Sequence, residues 1–485
     1  MSFRSAALLT SGIALLALSG CTVGPKYQRP QVPVPPAYRG SAQANSTPQN
    51  AAPNTASIGA EKWSEVFHDP TLQKLIAEAL ANNYDIKIAA ERVLEEQDQL
   101  GVTRAQEYPT LSGGASYDAV GLPASISKAL SGNNNNGKSN SGRKNIYAGG
   151  LSLSAAWNLD FWGYYRSQTA AARDQLLAST WAQRMTIDTV VEDVATAYFQ
   201  LRTLDAELAI TEKTVAARKQ SLQLTQLLEK DGSGTLEDVR QAQESLYQAT
   251  AEIPDLKRQI AQQEDAISIL LGRDPGPILR GSLSSIDWPD PAEVPAGLPL
   301  QLLERRPDIA EAEAQLRAAN ANVRVARARF FPQLSITGEG GTDSSQFKQL
   351  FDGSNILWYV TGSLTQSIFE GGALRSNLHL TQAEKQQQVL TYAQTVQKAF
   401  QNVSDALIAL RRYREYRAQE EKYVAAARDA TRLSRMRYQA GAASYLEVLT
   451  NDTTYYQAQI GLVTAREQEA ISFVQLYAAL GGGWQ

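Results

Sequence analysis

A segment of roughly 110 residues, Gly163 to Gly272, occurs twice in this chain, and an internal repeat of that length restricts the possible architectures more than any other feature. Shifting the sequence by 209 positions, without a gap, lays Gly163 on Gly372, Arg166 on Arg375, Val194 on Val403 and Leu201-Arg202 on Leu410-Arg411. The same shift lays Gly232 on Gly441, Tyr247-Gln248-Ala249 on Tyr456-Gln457-Ala458 and Leu271-Gly272 on Leu480-Gly481. Upstream the offset is 223, placing Asp308-Ile309 on Asp85-Ile86, Arg327-Ala328 on Arg104-Ala105 and Pro332 on Pro109. The difference of about 14 residues falls between these blocks, where a loop tolerates length change. A chain of 485 residues would by length alone suggest about three domains. The duplication replaces that expectation with a leader (1–20), an extended segment (21–60), a first repeat (61–299) and a second repeat (300–485).

Each repeat mixes two periodicities. Regular structure is expected to begin at Asp69-Pro70-Thr71, a cap-and-proline helix start, and helical spacing then runs from Leu72 to Glu107 and stops at Pro109. Beyond it Leu111, Gly113, Ala115, Tyr117 and Ala119 alternate, and Leu151, Leu153, Ala155, Trp157, Leu159 and Phe161 alternate with Ser152, Ser154, Ala156, Asn158 and Asp160. Period two over about eleven residues has the length and two-facedness of a membrane-barrel strand. Val360, Gly362, Leu364 and Ile368 repeat it in a fourth strand, with Gln366 as the exception. The loop between the first two strands carries Asn133-Asn134-Asn135-Asn136-Gly137 and is polar and exposed. From Gly163 to Lys230, Ile187, Val191, Val194, Tyr198 and Leu201 step by four and three, Asp205 breaks the series before Leu208, and a second series runs through Ala197 and Leu204. That is a coiled-coil period on a stripe wide enough to touch neighbours on both sides. A helix of that length reaches on the order of 100 Å, farther than a globular core can cover, so the simplest geometry sets one long helix beside two shorter ones stacked end to end. Four strands cannot close around a pore, nor can one hairpin bury two stripes. Oligomerisation satisfies both needs.

The N-terminus directs the chain out of the cytoplasm. Arg4 precedes an apolar run, Ala6 to Leu18, too short for a bilayer span of about 20 residues. Its end, Leu18-Ser19-Gly20-Cys21, resembles a bacterial lipobox, which makes Cys21, the single cysteine, a lipidation site rather than a small buried apolar residue. One cysteine excludes an internal disulfide, and His68 and His379 have no ligand spacing around them. A net charge of -4 argues against a nucleic-acid partner. The proline-rich stretch from Thr22 to about Ala60 is a tether or a strap over another surface.

Cys21-Thr22-Val23-Gly24-Pro25-Lys26-Tyr27, Arg305-Arg306-Pro307-Asp308-Ile309 and the ending Leu476-Tyr477-Ala478-Ala479-Leu480-Gly481-Gly482-Gly483-Trp484 together resemble the outer-membrane factor family, the lipoprotein, TolC-like exit ducts of tripartite drug efflux pumps. The resemblance covers essentially the whole mature chain. It implies a mixed α and β homotrimer whose four strands per protomer make a twelve-stranded barrel in the outer membrane, continued by a helical periplasmic tunnel. It further implies a periplasmic adaptor and an inner-membrane pump of the resistance-nodulation-division class as partners, small molecules such as drugs as cargo, and no cofactor besides lipid on Cys21.

Two helix-turn-helix tips follow from the sequence, with Gly232 and Gly441 at the turns and Thr235 and Ser444 as N-caps. Turn chemistry alone accounts for such residues. The resemblance makes these tips the adaptor-docking surface and the closed aperture, with Leu236, Asp238, Tyr445, Leu446 and Glu447 in it. Relatives latch the aperture with an aspartate and an arginine where this chain has Thr450 and Thr453. An apolar ring from Leu446, with Tyr445 beside it and Glu447 and Asp238 in support, is the expected substitute. No catalytic constellation accompanies the carboxylates, so the chain is expected not to be an enzyme. A duct for protein secretion and a lipid-anchored trimeric coiled-coil spacer are the rival readings.

Overall fold

The computed structural model describes residues 23–39, 57–123, 126, 144–281 and 299–484. Cys21, the leader, the Asn-rich loop and much of the Pro/Gly-rich segment before Pro299 lie outside them.

The elements repeat with the offsets read from the sequence. After a 3-10 turn at Ile58–Ala60 come α1 (Trp63–Val66), α2 (Pro70–Asn82), α3 (Tyr84–Ala105), β1 (Thr110–Leu122) and β2 (Lys144–Leu159). Then follow α4 (Tyr164–Lys230), α5 (Leu236–Leu270), α6 (Pro299–Arg305), α7 (Pro307–Ala328), β3 (Gln333–Ser344), β4 (Ile356–Thr365), α8 (Ala373–Gln439) and α9 (Tyr445–Ala479). Helices α4 and α8 both have 67 residues and α5 and α9 both have 35. Three expectations need correction. Regular structure starts before Asp69, with α1. The helical run expected from Leu72 to Glu107 is two helices, broken at Asn83, whose side-chain Oδ1 accepts from Asp85 N at 2.7 Å and Ile86 N at 3.2 Å and so starts a new helix. Finally, β4 ends at Thr365, so Gln366 and Ile368 lie past the strand. Helix α5 also continues through Pro254, whose missing N–H removes one rung of its ladder.

The positive-φ glycines mark the duplication. Gly163, Gly232 and Gly272 (φ 77°, 77° and 68°) have their offset partners Gly372, Gly441 and Gly481 at 89°, 72° and 78°. Gly232, Gly272, Gly441 and Gly481 all close helices in the same way. Each N–H bonds the carbonyl three residues back and the next N–H bonds the carbonyl five back, as in Ser233 N to Leu228 O at 2.9 Å and Ala442 N to Arg437 O at 2.8 Å.

The chain divides into two compact units. The first comprises Met1–Gln28, Glu95–Leu176 and Gln315–Val389 and contains a four-stranded antiparallel sheet in the order β1-β2-β3-β4. Asp160 starts α4 by accepting from Tyr164 N and Arg166 N. Trp162 stacks on Phe331 and donates to Pro332 O at 2.8 Å. Here the N-terminal segment lies along α7, with Pro25 O accepting from Asn320 and Tyr27 under Arg317.

The second unit comprises Arg29–Leu94, Leu177–Ala314 and Leu390–Gln485. The α4 stripe is its core, with Val191, Val194, Tyr198 and Leu201 buried and Ile187 and Leu208 half-buried. Buried Asp69 caps α2 and accepts from Tyr198 OH at 2.7 Å. The strap continues here, with Arg29 paired to Glu313 at 3.0 Å and Tyr38 buried on Phe400.

A joint is built twice in this unit. Asn83 Nδ2 donates to Leu270 O at 2.9 Å, and Arg306, its offset partner, donates to Ala479 O at 2.8 Å. Gly272 packs so closely on the end of α2 that an added Cβ would stand 2.3 Å from Asn82 O. Gly272→Ala therefore combines left-handed strain of about 1–2 kcal/mol with a backbone clash. Gly441→Ala has the strain alone, because nothing lies within 4 Å of its Cβ. Thermal melts of the two variants should show the larger fall in Tm for Gly272→Ala by a wide margin; equal falls would contradict the close packing.

Candidate functional site

The sheet is two-faced across all four strands. Its register aligns Leu111–Ala155–Gly338–Val360, Gly113–Leu153–Gly340–Trp358 and Ala115–Leu151–Thr342–Ile356 as rows on one face. The alternate rows, Thr110–Ala156–Thr337–Thr361 and Ser112–Ser154–Glu339–Tyr359, occupy the other. Hydrogen bonds tie the polar face, including Ser112 to Ser154 at 2.7 Å and Tyr359 OH to Glu339. Tyr147 stacks on Tyr117 near one end of the apolar face, and Trp157 near the other end donates to Glu107 O at 3.0 Å. Ten residues of β2 separate Tyr147 from Trp157, about 33 Å of strand, and at a barrel tilt near 40° that spans about 25 Å, the height of an outer-membrane apolar band between aromatic girdles. Yet β1 and β4 are exposed along almost their whole length and each pairs on one side only among the described residues. In hydrocarbon an open edge cannot persist. No described helix is long and apolar enough to cross a membrane.

The tips are in the second unit. In the first, Gly232 turns the chain and Thr235 caps α5, its hydroxyl accepting from Asp238 N at 3.1 Å while Asp238 accepts from Thr235 N at 3.2 Å. Leu236 is exposed. In the second, Gly441 turns and Ser444 takes the N-cap place, but its side chain makes no capping bond. Here residues expected together part company. Leu446 is 57% exposed, whereas Tyr445 is 4% exposed and packs on Tyr438 and Ala242 inside the protomer. Burial pushes the Tyr445 hydroxyl up to about 12, with Asp452 adding to it. Glu447 pairs with Arg437 at 2.7 Å, and Thr450 turns its hydroxyl back to Leu446 O.

A buried ion cluster beside Tyr445 escaped the sequence reading. Asp452 on α9 pairs with Arg218 on α4 at 3.6 Å and also with Arg435 on α8. Arg218 in turn donates to Ser245 O on α5 at 2.7 Å. Asp452 thereby joins α4, α8 and α9 directly, and α5 through Arg218. The offset partners are Ala427 for Arg218, Gln226 for Arg435 and Gln243 for Asp452, so the repeat gave no signal for it.

At the joint, Asp188, Glu192, Arg306, Asp308 and Asp405 line a cavity of about 410 Å³. Burial, and then the charge of Glu192, push the Asp188 carboxyl up to about 8, against the pull of Arg306. Burial also raises Glu192. A carboxyl whose folded value lies above its unfolded one favours the folded state below about pH 4, and that contribution drains away as pH rises toward 8. Asp188→Asn should accordingly flatten the fall of Tm between about pH 4 and 8. Parallel curves for variant and wild type would remove Asp188 from the account.

The comparisons with known proteins agree with this geometry. The family model described as outer membrane efflux protein matches residues 75–273 and 298–482, one stretch for each repeat. The chain is 35% identical over 479 residues to the probable efflux pump outer membrane protein TtgC of Pseudomonas putida, covering 98% of this chain and 96% of that one. It is 34% identical over 470 residues to the cation efflux system protein CusC of Escherichia coli, covering 97% of each. A crystal structure of CusC superposes with a TM-score of 0.82 at 32% identity, over 96% of this chain and all of that one. The open-state MtrE outer membrane channel of Neisseria gonorrhoeae superposes with a TM-score of 0.83 at 28% identity, over 96% and 99%. A duplicated, strand-bearing helical chain with one lipid-compatible sheet face thus belongs to the outer membrane efflux protein family, as a TolC-like channel of the outer membrane that extends into the periplasm.

Proposed function

We propose that this channel is the passive exit duct of a tripartite efflux pump, formed when three copies join β4 of one to β1 of the next in a twelve-stranded barrel. The observation that carries this is the register: most of the large apolar residues of the strands share one face, with Leu357 and Val120 among the exceptions on the other, while both sheet edges stay open. Pairing between copies satisfies those edges as a closed barrel does. The polar face then lines the lumen. The tips around Gly232, Thr235, Leu236, Asp238, Gly441, Ser444, Leu446 and Glu447 are the docking surface for a periplasmic adaptor, which couples the duct to an inner-membrane pump of the resistance-nodulation-division class. Exposed Leu446 forms the apolar constriction without Tyr445, and a lipid on Cys21 anchors the chain. No reaction is assigned to it. The relatives are named for toluene and for cations, cargoes with no chemistry in common, so the pump rather than the duct selects what leaves.

Electrophoresis without boiling should show a trimer that collapses on heating, and planar bilayers should show small conductance steps that grow severalfold in Leu446→Ala. A detergent-free soluble monomer that never conducts overturns the duct. Unchanged, near-closed conductance in Leu446→Ala removes Leu446 from the constriction alone.

A further inference from the structure

The apolar face of the sheet is not smooth. Glycines stand on it at 113, 149, 338 and 340, where a lipid-facing strand ordinarily carries large apolar side chains. Backbone geometry does not require those at 113 and 340. Neither has positive φ, and an added Cβ would meet nothing closer than 3.9 Å at Gly113 and 3.8 Å at Gly340. Gly341 is the contrast, since its Cβ would fall 2.4 Å from Leu151 O. What the absent side chains leave is space, and a strand glycine without a conformational reason is a mark of close approach by something else.

The connection between β3 and β4 encloses that space. It contains a 3-10 turn, Phe347–Phe351, that folds back over the sheet. Leu350, 5% exposed, sits over Gly149, its Cδ1 3.3 Å from the Cβ site there. The result is a furrow of about 610 Å³ with Gly113 and Gly340 as floor, Leu151 and Leu153 as walls, and Leu350 and Phe351 across one end. Phe351 is 73% exposed. In a 3-10 turn residues three apart share a side, which places exposed Lys348 above Phe351 at the closed end. Helices α3, α4, α7 and α8 join the sheet at the opposite end, so the end that carries the β3–β4 connection faces outward, and the furrow runs from the middle of the apolar band toward it.

We propose that the furrow seats an acyl chain of a phosphate-bearing lipid of the outer leaflet, with Lys348 beside the headgroup. This rests on the reading of the sheet as the membrane wall. The volume is that of a small-ligand seat, its lining is mainly apolar, and one cation at its outer end suits an anionic head and a hydrocarbon tail.

Native mass spectrometry of the full-length protein, released from nanodiscs holding lipid A or dephosphorylated lipid A, tests it. Wild type should retain lipid A, and Gly340→Leu and Thr342→Leu, each filling the furrow, should lose at least tenfold of it. Lys348→Gln should lose roughly fivefold of lipid A and none of the dephosphorylated form. Equal retention by wild type and both filled variants overturns the proposal, as does wild-type retention no greater than that of any bulk lipid. Assembly and conductance are read on the same preparations. Conducting trimers that retain no lipid sink the furrow alone, while failure of wild type to assemble sinks the membrane wall with it.

Discussion

Val360→Arg is expected to abolish the heat-modifiable assembly, while Thr361→Arg, one residue along, leaves it standing. Both residues belong to β4, an edge strand exposed throughout. Val360 shares its row with Gly338, Ala155 and Leu111 on the apolar face, and Thr361 shares its row with Thr337, Ala156 and Thr110 on the polar one. An arginine on the lipid side near mid-membrane costs about 2–4 kcal/mol per chain, and a symmetric closed wall repeats that cost in every copy. The same arginine on the lumen side is solvated. The pair separates the register from general intolerance of β4 to charge, since a one-residue slip would exchange the two outcomes. If both variants assemble alike, or if Thr361→Arg is the one that fails, the orientation of the sheet is wrong.

Much of the fold was legible because local chemistry and the repeat reinforced each other. The alternation through Leu151, Leu153, Ala155 and Trp157 gave a strand, whereas its register with β1 and β3 emerged only in the structure. Gly232 and Gly441 were visible as turns, Gly272 and Gly481 as matching positions of the repeat, and all four adopt positive φ. The break at Asn83 was hidden, because an asparagine amid helical spacing becomes a cap only when Leu270 stands opposite to accept its amide. Its offset partner Arg306 announced the equivalent break through Pro307. The tips showed the same limit. Spacing placed Tyr445 and Leu446 side by side in sequence, but adjacent helix positions point about 100° apart, and only tertiary packing decided that Tyr445 turns in toward Tyr438. Charge networks were the least legible. Arg280, Asp205 and Glu264 knit one repeat, and Arg414, Arg417 and Glu469 the other. Under the offset of 209 only Asp205 and Arg414 coincide, with opposite charge, while Glu264 falls on Phe473, Arg417 on Leu208 and Glu469 on Ile260, so duplicated backbones here carry different ion pairs.

Asp452→Ala is expected to loosen the tips far more than any exposed charge change there. The side chains of Arg218 and Asp452 are 5% and 11% exposed. Removing the carboxylate leaves a buried guanidinium whose remaining described partners are Ser245 O and the ring of Tyr456. Breaking one side of a buried pair costs about 3–5 kcal/mol, whereas the 38% exposed Arg435 adds little once solvent screening is counted. Because the Asp452–Arg218 pair crosses from α9 to α4, and Arg218 also holds α5 through Ser245 O, that cost falls on the contact between the two tip hairpins. Amide hydrogen exchange over residues 211–250 and 431–460 should accelerate by roughly a hundredfold, about 3 kcal/mol of local stability, with the sheet unaffected. Replacing both partners, Arg218→Leu with Asp452→Leu, should restore most of the protection, since two apolar groups leave no orphaned charge. Unaltered exchange in Asp452→Ala would show that the cluster does not hold the hairpins together. A double variant as labile as the single would show that packing volume, not charge pairing, fixes them.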